Sequence, residues 1–247
     1  MKQFKINGAF GNSSILVGES ITNTSTYIPV KNTVILTDTT VFQCCGEFFP
    51  ACPVISIGLG EKIKTLETVS DIYRQLIDLG ADRSTFLLGI GGGIVCDITG
   101  FVASTYMRGI RFGFVSTTLL SQMDASVGGK NGVNLGGYKN MVGTFNQPEF
   151  VICDMAVLKT LPRPEVLCGM AEIIKHGAIF SPSMVAELES FRSDALALNP
   201  EVIASLVYQS VAIKAGVVSR DEREHGERRK LNFGHTFGHA IEKLTAL

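Results

Sequence analysis

The chain has 247 residues, of which 45% are hydrophobic and 18% charged, with a formal net charge of −1. That is enough apolar material for one large domain or two smaller ones, and it excludes a disordered chain. The near-neutral balance argues against a general nucleic-acid binder, so any anion site has to be local.

Met1-Lys2-Gln3-Phe4-Lys5 carries no signal-peptide apolar region, and no apolar run approaches membrane-spanning length. No membrane partner is therefore expected. The six cysteines, Cys44, Cys45, Cys52, Cys96, Cys153 and Cys168, form no CxxC pair. They read as reduced thiols of a cytoplasmic protein.

In chain order, Val34-Ile35-Leu36 is a short β-branched run ending in Thr37-Asp38, and Val54-Ile55-Ser56-Ile57 is a second. Leu66, Val69, Ile72, Tyr73, Leu76 and Ile77 then recur at helical spacing. Phe86-Leu87-Leu88-Gly89-Ile90 is a third strand, running into Gly91-Gly92-Gly93 and a helix over 95–106. Arg111-Phe112-Gly113-Phe114-Val115 and Phe150-Val151-Ile152 read as further strands. Continuous apolar strands alternating with helices predict a mostly parallel, Rossmann-like α/β sheet covered on both faces. Glycines between a strand and a helix suit a phosphate cradle, or else form a tight turn without a ligand.

Residues 117–144 contain Gly128, Gly129, Gly132, Gly136, Gly137 and Gly143, and read as a long polar loop. Lys130, Lys139 and Asn140 are candidates there for an anion site, with Asp124 as orienter or acid/base; solvated loop lysines are the alternative.

The last third is helical. Pro164 suits the first turn of a helix that places Glu172, Lys175 and His176 on one face. A later helix begins near Asn199-Pro200, and over 202–219 its only charge is Lys214. That lysine either snorkels to water or meets an anion in a pocket. The charge run 220–230 reads mostly as a solvated linker that delivers Arg228 and Asn232 to the last helix. On that helix His235, His239 and Glu242 form one stripe, while Phe233, Phe237, Ile241 and Leu244 form the opposite one. Histidines four apart suit a metal site, and they also occur on solvated helix faces.

Several motifs together resemble the 3-dehydroquinate synthase family of sugar-phosphate cyclases. They are Gly91-Gly92-Gly93 with Asp97, Tyr106-Met107-Arg108-Gly109, Ser116-Thr117-Thr118-Leu119-Leu120, Asp124-Ala125-Ser126-Val127-Gly128-Gly129-Lys130, Gly169-Met170-Ala171-Glu172, and the run from Asn232-Phe233-Gly234-His235 through His239-Ala240-Ile241-Glu242. The resemblance spans most of the chain from about residue 34 onward. It implies an NAD-binding α/β domain over 1–160, followed by the first part of an all-α domain for metal and substrate over 161–247. The implied reaction converts 3-deoxy-D-arabino-heptulosonate 7-phosphate to 3-dehydroquinate and phosphate, with NAD used catalytically and a divalent metal, zinc or cobalt. By the same resemblance Glu172 and His235 are metal ligands, and His239 moves protons beside the metal. Lys130, Arg108, Asn140 and Arg228 meet the substrate phosphate, while Lys175, Lys214 and Asn232 meet its hydroxyl and carboxylate groups. NAD is met by Asp38, Glu61, Lys64, Gly92, Gly93, Asp97, Thr117, Thr118, Lys130, Lys139 and Thr160. The partner is a phosphorylated sugar acid, and a homodimer is expected.

Two departures stand out. Ser116 replaces a proline usual before Thr-Thr. The family's third metal ligand, in a His-Gly-Glu segment beyond His239, has no counterpart before Leu247, so a C-terminally truncated chain is expected. The alternatives are a related sugar-phosphate cyclase, a metal-dependent polyol dehydrogenase, and an NAD-binding module without turnover.

Overall fold

The computed structural model describes residues 1–8 and 11–245, apart from the side chains of His239, Glu242, Lys243 and Thr245. Its strands are β1 (Lys2–Gly8), β2 (Gly11–Val17), β3 (Thr33–Asp38), β4 (Val54–Ile57), β5 (Phe86–Gly91), β6 (Arg111–Ser116), β7 (Lys130–Leu135), β8 (Tyr138–Phe145) and β9 (Phe150–Cys153). The helices are α1 (Thr39–Cys45), α2 (Leu66–Asp78), α3 (Gly93–Thr105), α4 (Arg163–Phe180), α5 (Pro182–Ser190), α6 (Arg192–Leu196), α7 (Pro200–Arg220) and α8 (His235–Thr245).

Among the described residues one sheet runs in the order β1-β2-β9-β6-β5-β3-β4. Only β1 pairs antiparallel, with β2; the other neighbours are parallel. The predicted sheet is thus present. Successive side chains of each strand enter opposite apolar layers, as the two-residue repeat requires. Leu36, Leu87, Phe114 and Val151 join the larger layer with Val69, Ile72 and Leu76 of α2 and Val102 of α3. Ile35, Leu88, Val115 and Ile152 join a smaller layer with Ile21, Ile28 and Cys45.

Strands β1 and β2 were not anticipated from the sequence. In β1 only Ile6 is buried, because Lys2, Gln3, Lys5 and Asn7 dilute a period-two signal. Phe4 packs on the Tyr208 ring of α7, with centroids 4.7 Å apart, and so ties the first strand to the helical layer.

Residues 117–144 are not an irregular loop. Ser121–Ala125 form a π-helical turn, and β7 and β8 pair antiparallel from Lys130↔Phe145 to Leu135↔Tyr138. The intervening Gly136 and Gly137 have φ of 58° and 83°. Two left-handed residues make the hairpin turn whose twist matches that of its strands. No atom lies within 4 Å of a Cβ built on either glycine, so the demand is conformational and not spatial.

The expectation that no run reaches membrane-spanning length also needs correction. Helix α7 is 21 residues long and contains an 18-residue window of mean hydropathy 1.5, long and apolar enough by length and composition to span. Half of that window is buried inside the molecule, where Leu206, Val207, Val211 and Val218 pack into the larger layer.

Candidate active site

The C-terminal end of β5 sets the first wall of the site. Gly91, Gly92 and Gly93 press against their neighbours so closely that a Cβ on Gly92 would sit 2.9 Å from Thr118 Cγ2, and one on Gly91 2.5 Å from Val95. Helix α3 starts directly after Gly92, with no side chain capping its first turn. Its free N–H groups and positive dipole end suit an anion. Beside them Thr117 donates its N–H to Gly91 O at 2.9 Å, while its hydroxyl, on a residue only 6% exposed, has no partner. A cavity of about 470 Å3 opens here, lined also by Asp38, Glu61, Gly92, Gly93, Thr118 and Thr160. Seven of the predicted cofactor residues thus share one cavity. The glycine cradle and the uncapped start of α3 fit a dinucleotide phosphate.

Lys64 ties the segment after β4 to α3 and β8. Its ammonium, nearly buried, donates at 2.5 Å to both Asp97 Oδ2 and Asn140 Oδ1. Asn140 holds φ at 54° at the start of β8, and its N–H donates to Asn134 Oδ1 at 2.8 Å. Asn134 in turn donates to Glu61 Oε1 at 2.8 Å. The hairpin is therefore stitched to the segment after β4 through side chains that the sequence assigned separately. Burial pushes the Asp97 carboxyl up to about 6 against the pull of Lys64.

The second cavity, about 480 Å3, is lined by Asp97, Lys130, Asn131, Asn140 and Glu224 among others. Lys130 pairs with the Glu224 carboxylate, which also accepts from Asn232. Burial would raise the Glu224 carboxyl, but Lys130 and Asn232 hold it below its usual range. Glu224 sits in the charge run that read as linker, and its φ of 61° was invisible in composition.

The third group is buried. The π-helical turn aims both the backbone carbonyl and the carboxylate of Asp124 at Lys214, whose ammonium donates to the carbonyl at 2.6 Å and pairs with the carboxylate. Lys214 is 6% exposed, which decides for the pocket over snorkelling. Burial works to raise Asp124, but Lys214 and Lys175 outweigh it and bring the carboxyl down to about 2. Burial lowers the Lys214 ammonium, opposed by Asp124. Lys175 Nζ lies 2.7 Å from Glu172 Oε2. His176, fully buried, places Nδ1 2.5 Å from Ser210 Oγ and Nε2 3.0 Å from Glu172 Oε1. That last contact lacks hydrogen-bond alignment, so both atoms remain unpaired. Donor atoms of Asp124, Glu172 and His176 all lie within 4.8 Å of one another. An unpaired buried carboxylate oxygen among such donors fits a divalent cation. Sequence reasoning placed His176 on this face without giving it a role.

Other predicted residues are not gathered here. His235 is exposed on α8 and stands outside the three-donor cluster; the side chain of His239 lies outside the described residues. Arg108 is exposed in a left-handed turn with Met107 and Gly109, and lines neither cavity. Lys139 is exposed on β8 and likewise lines neither. Arg228 is 3% exposed, with Nη1 donating to Glu222 O at 2.6 Å and Nη2 to Gly128 O at 3.0 Å, so it clasps the charge run to the segment before β7.

A mostly parallel sheet, a glycine cradle at the end of β5 and a charged cluster carried by α4, α7 and the π-helical turn place the fold with the sugar-phosphate cyclases. Solved structures agree. A 2-deoxy-scyllo-inosose synthase complexed with carbaglucose-6-phosphate, NAD+ and Co2+ is 29% identical, with TM-score 0.82 over 98% of this chain and 69% of its own. The 2-epi-5-epi-valiolone synthase of Streptomyces hygroscopicus, with NAD+ and Zn2+ bound, is 25% identical, with TM-score 0.84 over 96% of this chain and 68% of its own.

The chain belongs to the 3-dehydroquinate synthase family: the model of that family's N-terminal part matches residues 54–168, and that of its C-terminal part residues 169–247. Two proteins of Dehalococcoides mccartyi named 3-dehydroquinate synthase are 49% identical over 76% of this chain and 42% identical over 100% of it. The chain spans 52% and 72% of their respective lengths.

Proposed function

We propose that this chain carries the cofactor site and the metal-facing helices of a 3-dehydroquinate synthase, which converts 3-deoxy-D-arabino-heptulosonate 7-phosphate to 3-dehydroquinate and phosphate. The observation that carries the reading is the glycine cradle at the end of β5, opening into a cavity lined by Asp38, Glu61, Thr118 and Thr160, together with a second cavity lined by Asp97, Lys130 and Asn140. A hydride acceptor and an anion-holding cavity are what oxidation and phosphate elimination on one sugar require.

A dinucleotide held in the first cavity would supply a hydride acceptor, and a divalent metal held at Glu172 would supply a Lewis acid for a carbinol oxygen. Asp38, Glu61, Gly92, Gly93, Thr117, Thr118 and Thr160 hold the dinucleotide, and Lys64 and Asp97 fix the edge facing the substrate. Glu172 holds the metal from the buried side; His235 is kept as its partner ligand on the family resemblance alone. Lys130 and Asn140 take the phosphate, with Arg108 and Arg228 as further cations for it. Lys175, Lys214 and Asn232 take hydroxyl and carboxylate oxygens, Asp124 holds Lys214 in place, and His239 moves protons. The division at 160/161, the homodimer and the cytoplasmic setting belong to the same reading.

The test is phosphate release from the heptulosonate phosphate with NAD well below the substrate concentration. Turnover without net NADH supports the synthase. Stoichiometric NADH from a polyol indicates a dehydrogenase. Phosphate release only from a hexose or heptose phosphate indicates another cyclase.

A further inference from the structure

Helix α4 sets Glu172 and His176 four residues apart, so the two share one face, and Ser210 meets that face from α7. His176 is fully buried, with Nδ1 2.5 Å from Ser210 Oγ. Its other nitrogen, Nε2, lies 3.0 Å from Glu172 Oε1, yet each of these two atoms is buried without a hydrogen-bond partner. The other buried side-chain atoms without a partner, among the described residues, are hydroxyl and amide oxygens. Asp124 brings a donor atom within 4.8 Å of both. The neighbouring ammonium groups engage other oxygens: Lys175 takes Glu172 Oε2, and Lys214 takes Asp124 Oδ1. Of the remaining histidines, His225 and His235 are exposed, and the side chain of His239 lies outside the described residues.

We infer that His176 Nε2 is a nitrogen ligand of the divalent cation that Glu172 holds, and that Ser210 orients it. A hydrogen bond would need the Nε2 axis to point at Oε1. A shared ion needs that axis to point beside Oε1, because the ion sits at the apex of a bent N–ion–O angle. Two donors each roughly 2.0–2.2 Å from one zinc stand about 3.0–3.5 Å apart, and the observed separation is 3.0 Å. A buried carboxylate oxygen and a buried imidazole nitrogen left without partners cost free energy that a cation between them removes. When Nδ1–H donates to Ser210 Oγ, Nε2 keeps its lone pair, the usual arrangement of a ligating histidine and its outer partner. The inference rests on the reading of Glu172 as a metal ligand and goes beyond the family resemblance, which gives His176 no role.

The experiment titrates the metal-stripped chain with Co2+ by calorimetry and records the visible absorption of the bound ion. His176→Gln keeps a polar side chain in place but removes the imidazole nitrogen. It should bind Co2+ roughly 100-fold more weakly, the upper end of what an outer partner alone contributes, and shift the cobalt bands, which report the donor atoms directly. Ser210→Ala should weaken binding about tenfold and leave the bands nearly in place; equal affinity overturns its orienting role. Unchanged bands in His176→Gln, or an affinity within about tenfold of the wild type, overturn the inference, and the metal reading stands where Glu172→Gln has lost binding. For a variant that does not fold, the wild type labelled with 15N-histidine decides: Zn2+ should shift the Nε2 resonance of the buried imidazole, and an unmoved resonance overturns the inference. Failure of the wild type to bind either ion, or full binding by Glu172→Gln, overturns both.

Discussion

At the scale of single residues, the site holds ion pairs that range from nearly buried to exposed. Lys214 is 6% exposed while the Asp124 side chain is 34% exposed, so removing the lysine leaves a carboxylate that water partly reaches. Lys214→Met should cost about 1–2 kcal/mol in denaturant unfolding, less than the penalty for breaking a fully buried pair; an unchanged midpoint would show that Asp124 is fully relieved by water. Lys130 is exposed, and its partner Glu224 lies on a surface segment. Lys130→Ala should therefore leave the unfolding midpoint nearly unchanged while weakening inorganic phosphate binding by roughly tenfold or more, the size of a charge-assisted contact. Equal phosphate affinity in the two proteins would remove Lys130 from the anion site. Asp97 sets a pH dependence. Its folded-state carboxyl titrates near 6, above its ordinary 3.8, so between about pH 4 and 6 the folded chain holds the extra proton. Stability from the protonated form is present below that window and is lost as pH rises through it, by about 3 kcal/mol in total. Unfolding free energies of the wild type and Asp97→Asn, compared from acid to neutral pH, should diverge in that direction; a constant difference would reject it. The sequence made residue types legible here and left pairings hidden. Lys214 stood out because its helix is otherwise apolar. That its counter-charge is Asp124, or that Glu224 reaches Lys130, depends on a π-helical turn and a left-handed backbone that composition does not encode.

At the scale of elements, strands β3, β5, β6 and β9 were readable as largely apolar runs and β4 as a short β-branched one, and helices α2, α3, α4 and α7 because of their spacing and first-turn signals. The hairpin was also present in the sequence, as Gly136-Gly137 between Leu135 and Tyr138, but a count of glycines masks a turn of two. Its physical basis gives a sharp test. Gly137→Val meets no steric obstacle yet must hold φ near 83°, which costs a β-branched residue about 1–2 kcal/mol. Amide exchange should speed up across β7 and β8 and not in the main sheet. Uniform protection would mean that the turn has adopted another conformation. Strand β1 escaped detection for the opposite reason, since its buried side chain is one among several polar ones.

At the scale of the whole molecule, α8 stands apart from the packing that holds the rest. Phe233, Phe237, Ile241 and Leu244 are 68%, 79%, 59% and 87% exposed. The sequence pattern divides this helix into two stripes, but an amphipathic pattern says which side wants burial and not what will cover it. An apolar stripe of this kind favours association between molecules, so Phe237→Ser should lower self-association in light scattering without lowering the unfolding temperature. The order of the main sheet carries a different consequence. Strand β2 takes its parallel partner from β9, Ser14 against Phe150 and Val17 against Cys153, with nearly all of the sheet's other strands lying between them in sequence. As the polypeptide leaves the ribosome, the β1–β2 ribbon emerges before the sheet's other strands, and its parallel neighbour β9 is the last of those strands to follow. Until then it carries an open edge able to pair with the wrong strand, and closure has to await distant contacts that form slowly. Biogenesis of this chain is thus a wait for residues 150–153, and a chaperone that shields extended segments should raise its soluble yield most during that interval.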